Sequence, residues 1–366
     1  MKLGFDIRPF LKEESGVGVY LRNLLFSLSK IDKKNTYFLF SSSFKDRINK
    51  KALPEFNNMK VRDMKIPVSI LNFLWYKIGF PPLGIFFFTS IDIFHSPVPK
   101  TLPGGKRKII TVHDLCFIEK PLLVMEEAVD YFKESFLKEI EKADGIIAVS
   151  EFTKSKILQL AGNKHESKIR VIYEGSDIKE VKPEKPDFEV PKEYFLFVGT
   201  IEPRKNLSRL FKAISIVKKS FSDIKLLVVG KKGWAYREIL SLIPKLDIEE
   251  NIILTNYVSR NQLRFLYDNS LALIFPSLYE GFGLPLLEAV YLKKSVLASN
   301  IEVFKEIYKD YPIYFDPLSS DEIAEKILNF LEKPKEPDTF LSEELSKNLT
   351  WENTARKTLD FYEQVR

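Results

Sequence analysis

Cysteine is almost absent from these 366 residues, Cys116 being the single one. That excludes an internal disulfide and fits a reducing compartment. Histidine is scarce too, at three residues, and none stands among the clustered ligands that a metal centre needs. No apolar run reaches the roughly 20 residues of a membrane-spanning helix. The most apolar stretch, Ile70 to Phe94, is interrupted by Lys77, Pro81, Pro82 and Asp92. Met1-Lys2-Leu3-Gly4-Phe5-Asp6 is too short an apolar run for a secretory signal and reads as a first strand, so a cytoplasmic protein is expected. Low-complexity segments and short repeats are missing. Neither charge dominates: Lys+Arg 56 against Asp+Glu 50 leaves +6, which is no nucleic-acid footprint.

What is present is a soluble globular composition, with 45% apolar and 29% charged residues, in a chain longer than one core usually serves. Strand-like runs alternate with helical ones, the α/β pattern of a parallel sheet. In the first half the strands read as Lys2–Ile7, Thr36–Ser41, Met59–Ile66, Ile91–Pro97, Lys108–Asp114, Gly145–Val149 and Ile169–Tyr173, with a long helix over Met125–Lys142. Pro183, Pro186 and Pro191 amid charges mark a linker. The rhythm then restarts at Tyr194–Val198 and continues through Ile224–Val229, Ile252–Thr255, Leu271–Pro276, Ser295–Ala298 and Ile313–Phe315. Trp351–Val365 reads as a closing amphipathic helix. The expected domains are residues 1–182 and 183–350, with 351–366 as the final helix.

The most informative stretch is Tyr279-Glu280-Gly281-Phe282-Gly283-Leu284-Pro285-Leu286-Leu287-Glu288. A buried strand precedes it and a helix follows, Pro285 suiting the first turn. Glu280 and the two glycines therefore form a loop at the carboxyl end of a strand, where open α/β sheets bind ligands. The free amides and dipole of the helix start make a seat for a phosphate. A carboxylate there is better explained as an acceptor for sugar hydroxyls, with Glu288, about two turns further on, doing the same for a ribose.

Other candidates sit at corresponding places. Gly16 and Gly18 lie where the first strand hands over to its helix, the phosphate-facing turn of such a sheet. Arg204 and Lys205 follow Gly199 in a strand-to-helix loop on the sheet edge that carries Glu280. His95 and His113 each end a strand; a hydrogen-bonded structural role stays open for His95. Lys45, Arg47, Lys50 and Lys51 fall in a polar stretch expected to be helical. Ile70–Phe94 is expected to be a buried helix against the first sheet, the alternative being partial exposure and, with those lysines, contact with a membrane surface.

The two Glu separated by seven residues, with Gly-Phe-Gly-Leu-Pro between, resemble the signature of the retaining family-4 glycosyltransferases, which have the GT-B fold of two facing Rossmann-like domains. Gly199-Thr200-Ile201-Glu202-Pro203-Arg204-Lys205 is similar to that family's phosphate loop, and His113-Asp114 and Ser150-Glu151-Phe152-Thr153 fit it as well. The resemblance implies a metal-independent transfer of a hexose, with no cofactor, from a nucleotide diphosphate sugar to a glycan or lipid-linked glycan, with retention. It implies that Arg204 and Lys205 neutralise the leaving diphosphate, that Gly16, Gly18, Gly281, Phe282, Gly283 and Leu284 face the donor, and that His113 contacts the sugar. The strand ends at Gly230 and at Tyr257-Val258 would frame the base, and the final helix would cross back to the first domain. Many relatives carry an Arg where this chain has Thr200, which leaves two or three cations on the phosphates open. No Asp-x-Asp occurs, in keeping with metal independence. GDP-mannose is the first donor expected and a UDP-hexose the second; the style resembles mannosyltransferases of surface-polysaccharide assembly. The alternative is a non-catalytic nucleotide-sugar binder of the same fold, against which the intact Glu280, Glu288, Arg204, Lys205 and His113 argue.

Overall fold

The computed structural model describes residues 1–11, 16–49, 53–119 and 129–366. Ser15, Lys50, Lys51 and the expected helix start at Met125 lie outside them. The chain divides into two units. One is formed by Met1–Ile118, Glu127–Gly175 and Leu349–Arg366, and Ser176–Asn348 make up the bulk of the other.

The first unit is built on seven parallel strands: β1 (Lys2–Asp6), β2 (Thr36–Ser42), β3 (Met59–Met64), β4 (Ile93–Ser96), β5 (Arg107–Val112), β6 (Gly145–Ala148) and β7 (Ile169–Val171), in the order β3-β2-β1-β4-β5-β6-β7. The inner strands are largely apolar and buried, as in a sheet covered on both faces, whereas the edge strands β3 and β7 carry exposed Lys60, Arg62 and Arg170. The helix Trp351–Val365 packs on the helix Gly16–Ile31 of the same unit. It buries Trp351, Thr354, Ala355, Thr358, Phe361 and Tyr362, one stripe at helical spacing. Phe361 comes so close to β6 that a Cβ on Gly145 would lie 2.9 Å from its ring.

The second unit repeats the plan with β8 (Phe195–Val198), β9 (Leu226–Val229), β10 (Ile252–Asn256), β11 (Ala272–Phe275), β12 (Val296–Ser299) and β13 (Ile313–Phe315), ordered β10-β9-β8-β11-β12-β13. All are parallel. Its core runs from Phe195 and Phe197 on β8 to Leu207, Leu210, Phe211 and Ile214 on the following helix. The two Rossmann-like sheets are those the sequence pattern led one to expect. In the second, the order reverses direction between β8 and β11, and the loops after those two strands carry the candidate site.

Three expectations are corrected. Gly16 and Gly18 do not form a turn before a helix; they are the first turn of Gly16–Ile31, held in it by the buried stripe Tyr20, Leu21, Leu24, Leu25 and Leu28 at helical spacing. No helix spans the described part of 43–49; instead Arg47 donates 3.0 Å to the Met64 carbonyl and pairs with Asp63 at 3.4 Å. Ile70–Phe94 is not one buried helix. A short helix, Val68–Phe73, runs into a π turn, Leu74–Ile78, which stops at Gly79 in the left-handed region (φ 76°). Past Pro81-Pro82 a 3-10 turn spans Leu83–Phe87. Leu71, Trp75, Leu83 and Phe87 face the sheet, while Ile70, Phe73, Ile78, Phe80, Ile85 and Phe88 are exposed. Apolar residues on both sides leave no period from which burial can be read.

Candidate active site

The loop after β8 is set by its own backbone. Pro203 occupies the first position of the turn Pro203–Lys205, where a missing N–H costs nothing. Asn206 takes the left-handed conformation (φ 61°), which Asn tolerates better than most residues. Its buried side-chain amide donates to the Pro276 carbonyl (3.0 Å) and the Pro317 carbonyl (2.7 Å). The Leu278 N–H in turn donates to the Arg204 carbonyl at 2.8 Å. The loops after β8 and β11 are thus joined across the point where the strand order reverses, the usual crevice for ligands in such sheets.

Between them lies a buried charge cluster. Glu280, 7% exposed, receives Lys205 Nζ on Oε1 at 2.5 Å and Arg204 Nη1 on Oε2 at 2.8 Å. Arg204 also reaches Glu202 at 2.9 Å and the Tyr279 carbonyl at 3.2 Å. Lys205 sits 5.1 Å over the Phe275 ring, a contact that favours the ammonium. Burial by itself pushes the Glu280 carboxyl up, but Lys205 and Arg204 outweigh it and hold it at about 2. Burial draws the Lys205 ammonium below its usual range, Arg204 adds to this, and Glu280 opposes both. A carboxylate fixed in the ionised state, with lone pairs beyond its two ion pairs, is a strong acceptor for hydroxyls.

The helix Leu284–Tyr291 starts beside this cluster. Among the described residues no side chain caps it; Pro285 has no N–H, and the Leu286 and Leu287 N–H groups donate to the Gly283 carbonyl at 3.0 and 3.2 Å, so what its start chiefly offers an anion is the positive end of the helix dipole. Gly283, at its N-terminus, has φ 94°, and a Cβ there would stand 2.8 Å from Phe304; only glycine fits. The Tyr308 hydroxyl pins the turn by donating to the Phe282 and Gly283 carbonyls at 3.2 and 2.9 Å. On the same helix Glu288 is buried and bound by Arg260, whose other nitrogen holds Asp177. Burial works against the Arg260 charge, but Glu288 and Asp177 outweigh it and raise the guanidinium above its ordinary value.

The loops after β8 and β9 touch. A Cβ on Gly230 would fall 1.9 Å from the Gly199 carbonyl oxygen, and Thr200 packs where Gly233 leaves room. After β10, Tyr257 is exposed and Val258 buried, with Lys231 Nζ 5.2 Å over the Tyr257 ring.

In the first unit His113 follows β5, and both ring nitrogens are engaged. Nδ1 lies 3.0 Å from Glu174 and Nε2 3.0 Å from the Pro97 carbonyl. Since the carbonyl only accepts, Nε2 carries a proton. Tyr20 abuts the ring edge-on at 4.7 Å. His95 is buried in a different setting: Nδ1 is 2.5 Å from the Tyr362 hydroxyl and Nε2 2.8 Å from Thr111 Oγ1. Burial, with a smaller push from His113, brings it down to about 3, so it is a neutral structural residue. Gly16 is exposed and Gly18 buried.

Two family models match the chain in tandem. The one described as Glycosyltransferase Family 4 covers residues 15–180, and the one described as Glycosyl transferases group 1 covers residues 178–347. The chain belongs to the family-4 glycosyltransferases. It is 28% identical to the O-antigen chain mannosyltransferase B of Escherichia coli, over 99% of each chain. Among solved structures it resembles the sucrose-phosphate synthase of Thermosynechococcus elongatus (TM-score 0.79, 18% identity, 99% of this chain and 98% of that one). Anabaena HepE, solved with UDP and glucose, matches over 100% of both chains with TM-score 0.70 and 15% identity. The fold is GT-B.

In this glycosyltransferase Arg204, Lys205, Glu280 and the Gly283-Leu284 turn come together, while Glu288 forms a second cluster in the same unit. The sequence led one to picture Arg204 and Lys205 as cations open to a phosphate; both are paired with Glu280, and Arg204 with Glu202 as well. Sequence reasoning passed over Glu202, Arg260, Asp177 and Glu174. Glu202 stood inside the quoted Glu-Pro-Arg-Lys run and its alternating charge was a usable signal. The pairings Arg260–Glu288 and His113–Glu174 join residues far apart in the chain, and no spacing announces them.

Proposed function

We propose that this glycosyltransferase moves a hexose, mannose first among the candidates, from a nucleotide diphosphate sugar to a hydroxyl of a glycan or lipid-linked glycan, with retention. The observation that carries the reading is the buried Lys205–Glu280–Arg204 cluster beside the uncapped start of the Leu284–Tyr291 helix. It combines an anion seat with a carboxylate held ionised, as a sugar diphosphate requires. Glu280 accepts hydroxyls of the transferred sugar, and Arg204, Lys205 and the positive end of the helix dipole take the charge that grows on the leaving phosphate. Glu288 holds the ribose, and Gly199, Gly230, Tyr257 and Val258 border the base. His113 is assigned to the transferred sugar.

In the reaction the acceptor oxygen bonds to the anomeric carbon from the face the phosphate leaves. The bond from that carbon to the phosphate oxygen breaks, and the departing oxygen takes the acceptor's proton. The products are an α-glycoside, for an α-linked donor, and a nucleoside diphosphate. Mannose and a surface polysaccharide are favoured by the likeness to the O-antigen chain mannosyltransferase; HepE with UDP and glucose keeps a UDP-hexose as second donor. A carrier lipid would bring the protein to the cytoplasmic membrane face. A thermal-shift screen of GDP-, UDP- and ADP-sugars tests the donor, since a ligand of the native state raises stability by mass action. GDP-mannose is expected to give the largest shift; no shift with any nucleotide sugar overturns the reading.

A further inference from the structure

Every nitrogen of the Arg204 guanidinium is engaged. Nη1 donates to Glu280 Oε2 at 2.8 Å and to the Tyr279 carbonyl at 3.2 Å. Nε and Nη2 both meet one oxygen, Oε1 of Glu202, at 3.1 and 2.9 Å. The Nε–Nη2 side is a flat, two-donor edge with which arginine grips a carboxylate or a phosphate. Here a carboxylate of the chain itself fills it.

The two acids on Arg204 are held differently. Glu280 is buried and gives a separate oxygen to each of Arg204 and Lys205. The Glu202 side chain is 19% exposed and meets Arg204 through one oxygen. It stands just before the turn Pro203–Lys205 and makes no capping hydrogen bond there. An ion pair open to water contributes little, so Glu202 is the partner that gives way. The loop from Gly199 to Asn206 carries two cations, Arg204 and Lys205, and with Glu202 and Glu280 the charges of the four side chains cancel. Only when Glu202 turns aside do these groups present a net positive charge to a diphosphate.

We infer that Glu202 is a displaceable counterion, which holds the edge of Arg204 that a phosphate takes and competes with the nucleoside diphosphate for it. Glu202 is given this part on the reading that Arg204 meets the donor's phosphates. The competition is sharpest for the product. Once the sugar has left, the terminal phosphate keeps a further ionisable oxygen, and repulsion from a neighbouring carboxylate grows with the charge of the ligand. A carboxylate ready to retake the guanidinium therefore loosens the product more than the donor. It speeds a release step that limits turnover in many enzymes. A fixed brace for Arg204 has the opposite consequence, since its removal would let the guanidinium wander and weaken phosphate binding.

The test is calorimetric titration with UDP, GDP and inorganic pyrophosphate at one fixed salt concentration. The proteins are wild type, Glu202→Gln, Glu202→Ala, Arg204→Met and the double variant Glu202→Gln with Arg204→Met, each checked for a cooperative thermal transition. Both Glu202 variants are expected to bind the nucleoside diphosphate that wild type prefers at least about tenfold more tightly, and pyrophosphate more tightly as well. In steady-state assays their product inhibition is expected to strengthen by a larger factor than the donor KM falls. In the Arg204→Met background the gain is expected to vanish, because the contested edge is gone. Unchanged or weaker binding in the folded Glu202 variants, or the same gain without Arg204, overturns the inference. Wild type that binds a nucleoside diphosphate while Glu202→Gln gains nothing refutes the counterion alone. Failure of wild type and Glu202→Gln to bind any of the three probes refutes the donor reading and the counterion with it.

Discussion

Lys205 Nζ lies 2.5 Å from Glu280 Oε1, and both side chains are more than nine-tenths buried. Removing either partner of a buried pair strands the other charge, at a cost of about 3–5 kcal/mol. Arg204 still reaches the second Glu280 oxygen, which places Lys205→Met near the low end, about 3 kcal/mol. The double variant, Lys205→Met with Glu280→Gln, is expected to be less destabilised than the sum of the singles by about 1.5 kcal/mol or more. Denaturation of the four proteins checks it, and additivity within experimental error rejects the coupling.

Loss of Arg204 leaves Glu280 paired with Lys205. Arg204→Ala is expected to fold, to bind donor, and to lose turnover by about a hundredfold or more, because its charge is needed most when the phosphate departs. Near-normal kcat in a folded variant removes it from the chemistry.

Glu288 and Asp177 share Arg260, away from the carboxylate assigned to the hexose. Arg260→Met frees Glu288 from its partner and leaves two acids facing each other. The expected result is a donor KM raised about tenfold or more with kcat little changed, the mark of binding lost equally from ground and transition states. A fall in kcat at constant KM would move this cluster into the reaction itself.

The site was legible where its parts are neighbours in sequence. Gly283 had to be glycine because a left-handed turn presses on Phe304, and Glu280, Arg204 and Lys205 follow adjacent strands that any α/β reading puts on one edge. What stayed hidden was pairing. That Glu280 would pair with the two cations the sequence reading assigned to a phosphate depends on side-chain reach across two loops. That Glu288 would be met by Arg260 depends on two helices. The Ile70–Phe94 segment misled for another reason. Hydrophobic periodicity reports burial only when one face is polar, and here neither is. Gly16 and Gly18 misled because a glycine pair suits a helix start as well as a turn.

Metal independence is a separate expectation, motivated by the missing Asp-x-Asp and by the cationic pair Arg204 and Lys205 proposed to meet the phosphates. Activity with the donor identified in the binding screen is expected to persist undiminished in excess chelator. Loss in chelator with recovery on adding magnesium or manganese would require another means of neutralising the diphosphate.

The network around His95 sets how the first unit responds to acid. The ring is 1% exposed, bridges Tyr362 on the closing helix to Thr111 on β5, and titrates at about 3 instead of its ordinary 6.5. Between those values the unfolded chain binds a proton that the native state refuses, so stability falls as pH falls. Above pH 6.5 this group costs nothing. Each unit below that removes about 1.4 kcal/mol until the native ring is itself protonated near pH 3. From pH 6.5 to 5 the loss is about 2 kcal/mol. Because Tyr362 belongs to the closing helix, that helix should loosen first, which amide exchange across Trp351–Val365 would register. His95→Gln cannot take up the proton and is expected to be less stable at neutral pH but to show a slope flatter by that amount. If wild type and His95→Gln lose stability in parallel between pH 6.5 and 5, the acid sensitivity belongs to other groups.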